Sequence, residues 1–456
     1  MAGIGFELRK LLRRDTFSGL LLAYTYAGVI SSGPWVLSIV AVLIIGIMSV
    51  PVVIPHEQVR QFQTVLTYLI AGSLILTGLV QLSFTRYSAD RIFEKDHHRL
   101  LPNLNGLILV VTVVSGLLAY PFAFIAFPAQ SLVLRILIAS CFVTLCNVWV
   151  GAILLSGLKA YKAILINFAC GYGLALVLSW WLRFWQLDGL LMAFLIGQFV
   201  LFKGMLFVVY RGYPSRQFIE ADFLRPRRMY SSLILTGLFY NLGIWADKFV
   251  FWYHPWTSEA VIGPFRASQV YDLPVFIAYL AIIPGMAVFL MRMETDFVEY
   301  YDRFYDAVRE GGSLAYIQEM KDEMVRTARE GIYDIMKIQG IATLLVVVGG
   351  RKLLQWAGIP EIHLPLLYIQ VVAAGFQVVL LGLLNVFFYL DRRKRVLLLT
   401  LVFALLNIVL TWVSIQLGPY FYGYGFAMAL IITICIGMFL LDRDLSRLEY
   451  ETFMLQ

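Results

Sequence analysis

Charge is what this chain has least of. Only 14% of its 456 residues are Asp, Glu, Lys or Arg, against about 25% in a soluble globular domain. The surplus is apolar: 60% of the residues are hydrophobic, and the mean hydropathy is +0.79. Surface-to-volume scaling leaves a soluble domain too little interior to hide that surplus, so it must face lipid.

Other absences narrow the chemistry. The four cysteines, Cys141, Cys146, Cys170 and Cys435, lie inside apolar runs with no CxxC and no Cys/His cluster. They read as small buried hydrophobes and imply no disulfide framework. There is no GxxxxGK[ST] loop to hold a nucleotide and no HExxH zinc helix. The five histidines, His56, His97, His98, His254 and His363, sit in loops or at the ends of apolar runs without metal-ligand spacing. No metal or other cofactor is implied, and the pattern argues for a transporter over an enzyme. A cleavable leader is not expected either. The first apolar run, after MAGIGFELRKLLRRD, is about 30 residues long, whereas a signal core spans about 7–15.

What the chain does have is long apolar runs. A crossing needs about 20 apolar residues, and about twelve such runs begin near Leu20, Phe62, Gly106, Ser131, Ala163, Gly189, Ser231, Leu273, Ile332, Pro365, Val396 and Pro419. The least regular, from Leu273 to Leu290, is short and broken by Pro274 and Pro284. These runs predict an all-α membrane protein of about 12 transmembrane helices.

Basic residues orient the runs. With the N-terminus inside, 28 of the 36 Lys and Arg fall in inside segments. Six fall outside (Arg60, Arg135, Arg183, Arg266, Arg351 and Lys352), and Lys203 and Lys248 fall within runs. Such positive-inside bias at every loop predicts an even number of crossings with both termini cytoplasmic. It also accounts for the net charge of +7, with no basic stripe left over, so nucleic acid is excluded as a partner.

The runs divide evenly around RGYPSRQFIEADFLRPRRMY, a basic segment with two prolines. This predicts an N-lobe over 1–210, a cytoplasmic inter-lobe linker over 211–230 and a C-lobe over 231–456. One polar insertion, 294–330, interrupts the C-lobe. Phe297, Tyr300, Tyr301, Phe304 and Val308 recur at helical spacing, as do Leu314, Ile317, Met320 and Met324 after Gly311-Gly312. Two amphipathic cytoplasmic helices follow. Three readings stay open: lying on the membrane face, docking a cytoplasmic partner, or a solvated hairpin. The many acids (Asp296, Glu299, Asp302, Asp306, Glu310, Glu319, Asp322 and Glu323) argue against a pure interfacial anchor, whose polar face favours Lys and Arg.

Ionisable groups inside a span cost on the order of 2.5–3.5 kcal/mol each and tend to face a polar path. Lys203 lies in the sixth run, Asp247 and Lys248 in the seventh. Adjacent helical residues point about 100° apart, so Asp247 and Lys248 are not expected to neutralise each other. Either one faces a cavity or another span, or both snorkel toward an outer aromatic belt of Phe249, Phe251, Trp252, Tyr253 and Trp256. Lys203, in the cytoplasmic half of its run, either faces a cavity or snorkels inward. Arg266 and Asp272 either pair in an outer vestibule or sit solvated in a loop. These five residues are the candidate translocation path. Gly33-Pro34 in the first run and Pro274 and Pro284-Gly285 in the eighth are candidate helix kinks, fitting either a rocking transporter or plain packing.

Two stretches carry a resemblance. The opening GIGFELRKLLRRDTFSGLLLAYTYAGVISSGPWVLSI and YDLPVFIAYLAIIPGMAVFLMRMETDF closely resemble the PelG family. Its members are membrane transporters of the Pel exopolysaccharide system, within the multidrug/oligosaccharidyl-lipid/polysaccharide exporter superfamily. The resemblance extends over the whole chain. It implies two six-helix lobes around a central cavity and flippase-like export of a polysaccharide rich in N-acetylgalactosamine for the biofilm matrix. It also implies partnership with PelD, PelE and the glycosyltransferase PelF, besides contact with membrane lipid. Spans one to five carry no basic residue to grip a lipid diphosphate, so a neutral nascent chain suits the cavity better. Two other readings remain beside it: an ion-coupled small-molecule or drug exporter, suggested by Asp247 and Lys203, and a membrane scaffold that recruits a synthase through 294–330.

Overall fold

The computed structural model describes residues 17–225, 230–356, 358 and 360–454. The first sixteen residues, with Arg9, Lys10, Arg13, Arg14 and the start of the opening motif, lie outside them, as do Arg227 and Arg228.

The described chain is helical almost throughout. In order come α1 (Phe17–Ser49), α2 (Glu57–Phe93), α3 (Leu100–Ala126), α4 (Leu132–Gly157), α5 (Tyr161–Leu182), α6 (Gln186–Gly212) and α7 (Ser231–Tyr253). A short hairpin follows, β1 (Glu259–Ile262) antiparallel to β2 (Phe265–Ala267). Then come α8 (Gln269–Leu280), α9 (Ile283–Met291), a π-turn over Arg292–Phe297, α10 (Val298–Arg309) and α11 (Leu314–Trp356). The chain closes with α12 (Leu364–Tyr389), α13 (Arg393–Gln416), α14 (Tyr424–Ser446) and α15 (Leu448–Met454).

Among the described residues, nine helical stretches are long and apolar enough to cross a membrane, or ten if α8 and the helix from Ile283 to Arg309 make one bent crossing. One of the nine, Tyr161–Gly212, is 52 residues long and contains both α5 and α6, ample for two crossings of about 20 residues each. The helix α7 falls outside this set. Outer faces carry the apolar surplus. Leu117, Ile125, Leu345 and Val348 are 70%, 79%, 70% and 86% exposed, a surface suited to lipid rather than water. Cys170 and Cys435 are exposed on such helices too, which corrects the expectation that all four cysteines are buried; Cys141 and Cys146 are.

Packing groups the chain into two units. The first holds 33–245 and 252–268; the second holds the described residues up to Ser32 together with 246–251 and 269–456. The boundary does not follow 211–230, because α7 as far as Trp245 packs with the preceding helices. Within that unit α2 and α7 cross closely. A Cβ on Gly237 would lie 2.1 Å from the Gly78 carbonyl oxygen, and one on Gly78 2.6 Å from that of Gly237. Segment 218–223 is also fastened within the first unit. Asn105 Nδ2 donates to the Phe218 carbonyl (2.8 Å), Asn103 Nδ2 to Glu220 (3.1 Å), and Arg99 pairs with Asp222 at 2.8 Å. Tyr230 donates to Asp90 at 2.5 Å. Burial first, and the Asp90 carboxylate second, push its phenol above the ordinary tyrosine range.

In the second unit the eighth apolar run is broken as its prolines suggest. The chain bends by 41° between α8 and α9. Pro284 stands at the start of α9, where its missing N–H is harmless. The adjoining Gly285 amide donates to Gln339 Oε1 at 3.0 Å, in a space that a Cβ would fill. Pro274 and Pro34, by contrast, lie inside continuous helices. The polar insertion forms α10 and the start of α11, a single helix of 43 residues. Much of its apolar stripe is already covered: Phe304, Ala307, Ile317, Met320 and Met324 are buried, while Leu314 is 62% exposed. Lys321 holds Glu449 of α15 at 2.5 Å. That leaves less of the stripe free to lie on a membrane face.

Candidate functional site

A membrane interior leaves a charged group two ways to be satisfied: a partner or a route to water. Asp247 and Lys248 take the first. Asp247 is 0% exposed and Lys248 6%. The Lys248 ammonium lies 3.1 Å from both carboxylate oxygens of Asp247. This overturns the expectation that neighbours on a helix cannot neutralise each other. The backbone does set their Cβ atoms far apart in angle, but the four-carbon stem of lysine folds back to the carboxylate. Snorkelling is excluded with it. The expected aromatic belt is only partly one, since Phe251 and Trp252 are buried while Tyr253 and Trp256 are exposed.

Four further helices of the second unit complete the cluster. From α8, Tyr271 donates to Asp247 Oδ2 at 2.6 Å. From α13, Asn407 Nδ2 donates to Oδ1 at 3.3 Å, and Thr411 donates to Asn407 Oδ1 at 2.9 Å. From α12, Gln370 Nε2 donates to the Tyr271 hydroxyl at 2.7 Å, and Gln377 accepts from Tyr279 at 2.9 Å. Tyr279, on α8, also stands 3.4 Å from Lys248 Nζ. Phe251 stacks on Tyr271 with centroids 3.8 Å apart and planes 12° apart, sealing one side. The Phe426 ring of α14 lies 5.0 Å from the ammonium. The result is a polar knot in an apolar core, with each buried polar group turned on another.

The other expected path residues are not part of it. Lys203, on α6 of the first unit, is exposed and lies over the rings of Phe199 and Phe202, 5.2 and 5.8 Å away. Arg266 sits in β2 of the first unit, where its guanidinium donates to the hydroxyl and carbonyl of Ser258 at 2.9 and 3.1 Å. Asp272 is half-buried in the first turn of α8 in the second unit. Sequence reasoning missed Tyr271, Tyr279, Gln370, Gln377 and Asn407. Their signal was weak: neutral polar residues scattered through apolar runs. A second polar site was also missed. In the π-turn, Glu294 accepts from Asn385 at 3.1 Å and from Tyr389 at 3.0 Å. π-turns recur at functional positions. Among the described residues no group of three His, Cys, Asp or Glu could hold a metal ion.

A long helical membrane chain with one buried charged knot has many possible relatives; its sequence narrows them to one family. The family model "PelG: Putative exopolysaccharide Exporter (EPS-E)" matches residues 1–453. The chain belongs to the PelG family. No curated protein matches it. Solved structures share its fold. An outward-facing multidrug resistance MATE family transporter of the MOP superfamily is 15% identical with a TM-score of 0.65, over 93% of this chain and 96% of its own. A MOP superfamily transporter from Pyrococcus furiosus is 14% identical with a TM-score of 0.62, over 93% and 96%. A MATE in the bent conformation is 14% identical with a TM-score of 0.63, over 98% and 97%. The PelG-family chain is therefore a multi-pass membrane transporter of MOP fold, not an enzyme.

Proposed function

We propose that this chain exports an exopolysaccharide across the bacterial inner membrane, and that the cargo is the N-acetylgalactosamine-rich Pel polymer of the biofilm matrix. The observation that carries this reading is the agreement of the exporter family over residues 1–453. On this reading both termini are cytoplasmic. The α10–α11 hairpin then stands where the polymer is made, and its charged outer face receives PelD, PelE or the glycosyltransferase PelF. The Asp247–Lys248 knot serves transport by holding α7, α8, α12 and α13 in one packing arrangement as the second unit moves.

Secretion tests it. Cells lacking this chain should make the polymer but retain it, and restoring the wild-type chain should restore extracellular polymer. Undiminished secretion without the chain would refute the proposal. Asp247→Ala, compared at equal amounts of membrane-inserted protein, should secrete less; normal secretion from Asp247→Ala, Lys248→Ala and the double variant together would remove the knot from the transport cycle.

A further inference from the structure

Asp247 has an unusually full set of donors. A carboxylate offers about four lone-pair sites. Among the described residues its oxygens receive the Tyr271 hydroxyl at 2.6 Å, the Asn407 amide at 3.3 Å, and the Lys248 ammonium at 3.1 Å on each oxygen. Only the ammonium brings charge. Its own surroundings are those of a bare cation. Two carboxylate oxygens and the Tyr279 hydroxyl, at 3.4 Å, lie close to it, and the rings of Tyr279 and Phe426 stand 5.1 and 5.0 Å away. Oxygen ligands and ring faces are what a desolvated cation requires.

We infer that this cluster is a monovalent-cation site whose permanent occupant is the chain's own Lys248 ammonium. A free sodium ion or proton arriving at Asp247 must displace a cation that is covalently tethered beside it, and tethering gives that cation a high effective concentration. The second unit therefore completes its cycle without taking up or releasing an ion at Asp247. The inference goes beyond the cargo assigned above and does not depend on it, because its test reads the purified protein alone.

The test is thermal unfolding of the purified full chain at neutral pH and equal ionic strength in sodium, potassium, lithium or choline chloride. The wild type should melt at one temperature in all four. Lys248→Ala empties the site while leaving its oxygens. It should melt lower in choline and recover by at least about 2 °C, saturably, in one of the small-cation salts. Lys248→Met fills the same space with an apolar tip and should stay low in every salt. Asp247→Asn/Lys248→Met removes both charges and should melt near the wild type throughout. The inference is overturned if the wild type is itself stabilised by a small cation relative to choline. It is overturned equally if Lys248→Ala melts alike in all four salts or fails to fold in any of them. A double variant that melts as low as Lys248→Met also overturns it, since charge at the site would then not be what matters.

Discussion

At the scale of the residue, the energetics of Asp247 and Lys248 are set by desolvation. Removing each from water costs several kcal/mol, and mutual attraction with good hydrogen bonding offsets that only while both are present. Breaking the pair should therefore hurt more than abolishing it. Lys248→Met alone should lower stability by about 3–5 kcal/mol, whereas the double neutral variant should fall within about 1–2 kcal/mol of the wild type. Denaturant or thermal unfolding of the purified chain reads the difference, and equal losses in the two variants would contradict the pairing. Tyr271→Phe removes one donor to the carboxylate and should cost about 1–3 kcal/mol. The residue types at 247 and 248 are legible in the sequence because charge in an apolar run is conspicuous. Their partners are not. Tyr271, Gln370 and Asn407 are 24 to 160 positions from Asp247 in the chain, or bonded through one another, and neutral polar residues in spans carry no spacing rule that would join them.

At the scale of the element, helices ended or broke where backbone chemistry required it. Pro284 with Gly285 stands at a 41° bend between two helices, whereas Pro34 and Pro274 lie inside helices that continue through them. A proline only removes one hydrogen bond, and whether the helix gives way depends on what else can satisfy the freed groups. At Gly285 that is the Gln339 side chain. Helix approach is as demanding. At Gly237 an added methyl would sit 2.1 Å from the Gly78 carbonyl, so Gly237→Ala should force α2 and α7 apart and destabilise the first unit by about 1–3 kcal/mol. Thermal unfolding checks it, with Gly340→Ala as the control, since a Cβ there meets nothing within 4 Å. The β1–β2 hairpin was not foreseen. Its strands are 4 and 3 residues long, and so short a pattern does not stand out beside α7. What holds it is tertiary: Tyr68 stacks on Phe265 at 4.2 Å, and Arg60 pairs with Glu259 at 2.7 Å.

At the scale of the whole molecule, fold class was legible because apolar surplus and run length are global properties that no single contact can overturn. The grouping into units was not, because it depends on helix packing, such as the close approach of Gly78 and Gly237, rather than on composition. The hairpin carries the prediction that belongs to this scale. Its apolar side is largely covered by its own chain, and its outer side is charged: Asp302, Arg303, Asp306, Glu319, Asp322 and Arg326 are all exposed. Charge reversal at Asp302, Asp306, Glu319 and Asp322 should leave membrane insertion and thermal stability near wild type, and should lower co-purification with PelF. Unchanged recovery of PelF would move docking elsewhere. Changes at exposed charges are usually within about 0.5 kcal/mol in stability, so a loss of binding would not be mistaken for unfolding.

The 43 residues of α11 make a rod of about 65 Å, roughly twice the thickness of a hydrocarbon core. Along it, Lys321 and Gln339 are separated by about five full turns, so both project from the same side. One is clamped to Glu449 of the terminal helix, and the other caps the amide at the bend between α8 and α9. One continuous helix thus joins the grip on α15 to the bend between α8 and α9.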